Sequence, residues 1–258
     1  MQPVSRKTHD FCWINLMTPS AEAAKAFFAD LFGWTYAAMP GVPGGHLIEV
    51  DGLAAGAVMD LDAGMAPPGT PPATGVLVRV DDAAATVAKA VALGGKADPP
   101  VDVRTNGRMA LLTDPNGALL GLWEPRSKEG FTCDRHAHGA PTWFETITSD
   151  DARAVAFYRA LFGWTAEAQH PTAGMTYHVL SLDGAPIGGV MTKNAHLPDV
   201  PPHWGTTFCV RDADAAVARG AALGGKVCIP VHELTGVARF ALLQSPQGVS
   251  FHLVQWAR

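Results

Sequence analysis

The two stretches that decide the fold read WINLMTPSAEAAKAFFADLFGWT over residues 13–35 and WFETITSDDARAVAFYRALFGWT over residues 143–165. Aligned at an offset of 130, ten of the 23 positions are identical: Trp13, Thr18, Ala24, Ala26, Phe27, Leu31, Phe32, Gly33, Trp34 and Thr35. The match continues downstream. Leu93-Gly94-Gly95-Lys96 corresponds to Leu223-Gly224-Gly225-Lys226, and Arg108 to Leu112 corresponds to Arg239 to Leu243 after a one-residue slip. Asp114-Pro115-Asn116-Gly117 then corresponds to Ser245-Pro246-Gln247-Gly248. A period this long marks a duplicated domain, not a solenoid of short repeats. The repeat assigns residues 8–126 to a first domain, 127–139 to a linker and 140–258 to a second domain.

Local patterning predicts the elements of each copy. Phe11–Met17 alternates and is bounded by Asp10 and Pro19-Ser20, which reads as a strand. Ser20 suits a helix N-cap; Ala24, Phe27, Phe28 and Leu31 follow at spacings of three and four, and Gly33 suits the C-cap. His46–Val50 and Ala54–Asp60 read as a hairpin around Asp51-Gly52. After the Pro/Gly-rich stretch Gly64–Pro72 the pattern restarts. It predicts a strand over Gly75–Val80 and a helix over Ala83–Leu93 with Val87 and Val91 inward. Strands near Val101, at Met109–Thr113 and at Leu119–Trp123 complete the copy. Each copy is therefore βαβββ twice, an α+β domain with helices on one face of an eight-stranded sheet. If the sheet curls, the other face becomes a cup.

The chain has 258 residues, 48% hydrophobic and 17% charged, enough apolar side chain for two separate cores and too few charges for disorder. The net charge is -5, and no basic stripe interleaved with aromatics argues for nucleic acid. No apolar run reaches the roughly 18 residues of a membrane span, and the N-terminus has no apolar leader core, so a cytoplasmic protein is expected. Either a monomer or a homodimer is compatible with this composition. The four cysteines form no C-x-x-C, which argues against a disulfide framework. Cys133, His136 and His138 cluster in the linker, but without the spacing of a zinc module, and read as solvated chain.

Three sequence words stand out in this order of elements: FYRALFGW over residues 157–164, Val80-Asp81-Asp82 before the second helix, and Asp114-Pro115-Asn116-Gly117 before the last strand. Together they resemble the vicinal oxygen chelate superfamily of glyoxalases, bleomycin-resistance proteins and extradiol dioxygenases. The chain particularly resembles its two-domain glyoxalase-like proteins, often labelled hydroxylases. The resemblance covers about residues 10–125 and 140–257 and implies tandem glyoxalase-like domains. Such folds serve metal enzymes and metal-free drug-binding proteins alike, so fold does not settle function.

The resemblance also implies where metal ligands would stand. In the first copy those positions hold Trp13, Gly75 and Gly121; in the second they hold Trp143, Gly205 and His252. A further position falls near Gly56–Asp60 and Gly188–Thr192, where Asp60 is the only acid. Indole has no free lone pair and glycine has no side chain. One histidine does not hold a catalytic metal, which needs at least three protein ligands. No metal cofactor is expected at the standard place.

Strand parity names what would line the cups instead, since side chains two apart share a face. The second cup takes Trp143, Glu145, His203 and His252; the first takes Trp13, Asn15 and Trp123. The tryptophans read either as core or as walls for a ligand. His46 and His178 occupy equivalent hairpin positions and read as structural. Three functions remain open. One is metal-free binding of a small, flat, hydrophobic metabolite. The second is a lyase-, isomerase- or hydroxylase-type enzyme using His252 and Glu145 as an acid/base pair, which would raise the His252 pKa. The third is a divalent-metal enzyme with displaced ligands His203, His252 and Glu145.

Overall fold

The computed structural model describes residues 6–39, 42–63, 69–127, 129–172, 175–193 and 200–257. In the first half, β1 (Phe11–Thr18) leads to α1 (Ala21–Phe32), then β2 (Thr35–Ala38), β3 (Gly45–Val50) and β4 (Leu53–Asp60). The second module runs β5 (Ala73–Arg79), α2 (Ala83–Ala92), β6 (Lys96–Ala97), β7 (Val101–Val103), β8 (Gly107–Thr113) and β9 (Leu119–Pro125). The second half repeats this as β10 (Pro141–Thr148), α3 (Asp151–Phe162), β11 (Thr165–Thr172), β12 (Met175–Leu182) and β13 (Ala185–Thr192). It ends with β14 (His203–Cys209), α4 (Ala213–Ala222), β15 (Lys226–Leu234), β16 (Ala238–Gln244) and β17 (Ser250–Trp256).

The strands form two separate sheets in the same order, β2-β3-β4-β1-β5-β9-β8-β6 and β11-β12-β13-β10-β14-β17-β16-β15. Within each half the two βαβββ modules join through an antiparallel central pair, β1 with β5 and β10 with β14. The first sheet has nine strands because Pro99-Pro100 interrupts what is one continuous strand, β15, in the second half. Proline cannot donate to a ladder, and on the edge strand β15 Pro230 falls within the register irregularity between Ile229 and His232.

Helix ends differ from expectation in one place. Ser20 occupies the N-cap position of α1 but makes no side-chain cap; the Asp60 carboxylate accepts the Ala21 N–H instead, at 3.1 Å. In α2 the inward positions are Ala83, Val87 and Ala90, whereas Val91 is 51% exposed. Val91 follows Ala90 by one residue, and that 100° rotation carries it off the core stripe.

The helix-bearing faces of the two sheets meet in the middle, so the halves share one core where two were expected. Phe11 stacks on Phe144 with centroids 4.4 Å apart, Phe28 meets Phe251 at 5.2 Å, and Phe32 meets Phe208 at 5.2 Å. The repeated Leu-Phe-Gly-Trp ending locks this arrangement with pseudo-twofold symmetry. Trp34 Nε1 donates to the Gly139 carbonyl and Trp164 Nε1 to the His9 carbonyl, both at 2.8 Å. Residues 9 and 139 are themselves equivalent at the 130 offset.

The segment between the sheets is not plain solvated chain. Phe131 and Cys133 are buried, Phe131 N–H donates to Cys12 O, and Gly139 N–H donates to Cys209 O. The Arg6 guanidinium lies 5.6 Å from the Phe131 ring and donates to the Cys133 carbonyl. His136 stays exposed, and among the described residues no group of three metal-ligating side chains forms here or elsewhere. No helix among them is long and apolar enough to cross a membrane.

Candidate functional site

Alternation along β10 divides its side chains. Phe144, Thr146 and Thr148 are buried toward the core, while Trp143 and Glu145 stand half-buried on the opposite, open face. The same rule puts His203, Gly205 and Thr207 of β14 and His252 of β17 on that face, as expected from the sequence. Trp143 lies in line with Thr207 and His252 across the three strands. In the first half the corresponding row is Trp13, Leu77 and Gly121. The middle-strand residue in each row is therefore two beyond Gly75 and Gly205.

Two residues missed by sequence reasoning complete the second cup. Tyr177 of β12 is placed by its neighbour: a Cβ at Gly189 on β13 would collide with the Tyr177 hydroxyl, so the glycine makes room for the phenol. Trp256 of β17 packs edge-on against Trp143 with centroids 6.0 Å apart and donates to Thr142 Oγ1. Both were legible in principle. Trp256 shares strand parity with His252, and Gly188-Gly189 beside an aromatic hairpin strand marks space for a ring.

These side chains form a connected polar array. Trp143 Nε1 donates to Tyr177 Oη at 2.7 Å, and Tyr177 Oη donates to Glu145 Oε2 at 2.9 Å. The other carboxylate oxygen, Oε1, lies 3.8 Å from His252 Nδ1, too long for a direct hydrogen bond but close enough for its charge to act on the imidazole. Glu145 and His252 thus meet as the sequence anticipated. The expected rise in the His252 pKa does not follow. Burial lowers it below the usual histidine value and outweighs the opposing charge of Glu145, with His203 and His232 lowering it further. Burial, and then the Glu145 charge, hold the Tyr177 hydroxyl well above the ordinary tyrosine range, so it remains a proton donor.

His203 does not join this array. It is exposed at the strand end, with Nδ1 2.9 Å from the Pro201 carbonyl. A hollow of about 300 Å³ lined by Glu233, Arg239 and Trp256 lies at the far end of β17, away from Glu145 and Tyr177.

The first cup is drier. Trp13 donates to Asn15 Oδ1 at 3.1 Å and stacks on the linker residue Phe131 at 6.2 Å. Leu77 covers Gly121, and Trp123 covers Gly107. Where the second cup has Tyr177, Glu145 and His252, the aligned positions here hold Gly45, Asn15 and Gly121. Asp60, the one acid near the remaining ligand position, is occupied at the α1 N-terminus.

A family model for the Glyoxalase/Bleomycin resistance protein/Dioxygenase superfamily matches residues 11–122 and again residues 141–253. The chain belongs to this superfamily. It is 39% identical over 248 residues to a protein of Mycobacterium tuberculosis named as a glyoxylase, CFP32, covering 94% of this chain and 93% of the relative. It is 33% identical over 257 residues to the anthracycline biosynthesis protein DauV of Streptomyces sp. (strain C5), covering 94% and 92%. Among solved structures, the Mn(II)-bound glyoxalase from Novosphingobium aromaticivorans superposes with a TM-score of 0.67 at 14% identity, covering 98% of this chain and 83% of that one. The 2,2',3-trihydroxybiphenyl 1,2-dioxygenase of Sphingomonas wittichii strain RW1 gives 0.66 at 14% identity, covering 97% and 91%. At such identity these two speak for the fold.

The manganese of the first of those structures raises the question of fit. A divalent catalytic metal needs three or more protein ligands on one centre. Among the described residues the second cup pairs the His252 imidazole with the Glu145 carboxylate, and the carboxylate is already engaged by Tyr177. His203, the third member of the displaced triad, is turned to a backbone carbonyl. Among the described residues, neither cup presents the three ligands a metal needs.

Proposed function

We propose that the chain binds a small, flat, largely apolar metabolite in its second cup without a metal centre. The observation that carries this reading is the grouping of Trp143, Tyr177 and Trp256 around a single carboxylate–imidazole pair. Aromatic walls supply apolar contact and stacking, and a few polar groups fix orientation, which is the usual composition of a small-molecule site. The likeness to DauV supports a polycyclic aromatic ligand, the chemical class of anthracyclines.

A panel of flat aromatics titrated against wild type and Trp143→Ala tests it, read by tryptophan fluorescence. Binding in wild type that weakens in the variant is the expected result. Equal quenching and equal affinity in both would move the site out of the second cup.

One observation favours a second reading, proton transfer on the bound ligand. Glu145 and His252 couple at 3.8 Å in a half-buried setting, and the lowered His252 pKa leaves the imidazole free to accept a proton at neutral pH. Glu145→Gln with unchanged affinity but lost turnover would support it. No turnover in either form would leave binding alone.

A further inference from the structure

The hydrogen bonds of the second cup run in one direction. An indole N–H can only donate. Trp143 Nε1 points at Tyr177 Oη, so that oxygen accepts there and spends its single proton on Glu145 Oε2. Glu145 is thereby held as the acceptor, and Oε1 faces His252 Nδ1 at 3.8 Å. At that distance the carboxylate makes no direct hydrogen bond, but its negative charge beside Nδ1 favours the proton there over Nε2. A neutral imidazole protonated at Nδ1 keeps its lone pair on Nε2. No hydrogen bond joins Nε2 to the described residues, and the His252 side chain stands half-buried on the open face.

We propose that Tyr177 is a positioning residue that fixes His252 as the Nδ1–H tautomer. The cup therefore selects flat ligands that carry a hydroxyl donor, a phenol or enol, for His252 Nε2. The inference rests on the reading that the second cup is the ligand site. The surroundings support it. Trp143 and Trp256 offer ring faces, while no Lys or Arg stands among the residues of the array to pair with an anionic group. A ligand carboxylate or phosphate would instead meet the Glu145 charge. The room for Tyr177 is built in, since Gly189 leaves the space its hydroxyl fills. The first cup has neither the tyrosine nor the histidine and makes no such selection.

Two measurements test this on the full chain. The first needs no ligand. Ring nitrogen NMR of 15N-histidine protein distinguishes the tautomers; His252 should be protonated at Nδ1 in wild type and become mixed in Tyr177→Phe. An Nε2–H tautomer in wild type, or no change in the variant, overturns the proposal. The second compares 2-hydroxyanthraquinone with its methyl ether, 2-methoxyanthraquinone, by tryptophan quenching. The phenol should bind at least about tenfold tighter, the worth of one well-made hydrogen bond, and Tyr177→Phe should erase most of that ratio. A merely structural tyrosine would weaken both ligands alike and leave the ratio intact, which overturns the positioning role. Equal binding of phenol and ether overturns the selectivity and leaves the aromatic-binding reading standing. If no flat aromatic of any kind quenches, that reading falls and the inference with it. Should Tyr177→Phe fail to fold, Gly189→Ala, which displaces the Tyr177 hydroxyl from Glu145, serves the same comparison.

Discussion

Tyr158→Phe removes one oxygen from the joint between the halves, and its cost can be worked from the contacts. The Tyr158 hydroxyl is fully buried; it donates to Asp114 Oδ2 at 2.9 Å and accepts from Trp204 Nε1 at 2.8 Å. Asp114 belongs to the first half and the other two to the second. Phenylalanine fills nearly the same space, so no cavity term enters. What remains is one buried indole N–H and one carboxylate oxygen without their partner. Leaving a buried polar group unsatisfied costs ~1–3 kcal/mol, so the pair should cost about 3 kcal/mol in all. A chain of this size has an unfolding entropy of roughly 2.1 cal/mol/K per residue, which converts that cost to a Tm lower by about 5 °C. Differential scanning calorimetry at neutral pH reads it directly. A Tm within about 1 °C of wild type would refute the assignment of this network as a structural joint.

Other consequences follow from the same contacts. Trp34→Phe and Trp164→Phe each delete a 2.8 Å bond to a backbone carbonyl of the other half, and each should destabilise by ~1–3 kcal/mol in chemical denaturation; a neutral result at either site would break the symmetry argued above. Acid should destabilise the fold. Burial lowers the pKa of His9, His138 and His252 below 6.5, so between the folded and unfolded values the unfolded chain binds more protons. Stability is then present above about pH 6.5 and is lost as pH falls through the folded values, and thermal melts from pH 7.5 to 5.5 that show a flat or rising Tm would contradict this. Gly189→Ala should displace the Tyr177 ring, seen as a changed near-ultraviolet circular dichroism spectrum together with weaker ligand quenching; an unchanged spectrum would mean the ring does not lie where the glycine makes room for it.

Much of the fold was legible because its signals are local and doubled. Period-2 alternation in β1 and β10, the three-and-four spacing in α1 and the left-handed Gly33 and Gly163 at helix ends each state their element twice. What local pattern could not carry was the meeting of distant chain. Nothing near Ser20 announces that Asp60, 39 residues beyond Ala21 in the hairpin strand, caps the helix in place of the serine. Nothing in the linker announces that Phe131 is enclosed between Trp13 and Phe144. In the site, parity on β10 and β17 placed Glu145 on the same face as His252, but the sign of the histidine shift depended on burial, a property of the assembled sheet. Tyr177 was hidden for a related reason: its role comes from a glycine on the neighbouring strand.

The residues that repeat and those that do not serve different ends, and the geometry explains the division. Two halves docked about a pseudo-twofold axis need the same contact made twice, so the Leu-Phe-Gly-Trp ending must appear in both; Trp34 and Trp164 reach equivalent carbonyls of the opposite half. A cup facing away from that axis is under no such demand. The positions on the open faces have accordingly diverged: Asn15 against Glu145, Gly45 against Tyr177, Gly121 against His252. Each change places a titratable group in the second cup where the first has none. Placing such groups on a half-buried face costs stability through desolvation and gives the shared core nothing. Their concentration in one cup, linked by hydrogen bonds and walled by Trp143 and Trp256, is the expected arrangement for a site selected for what it binds.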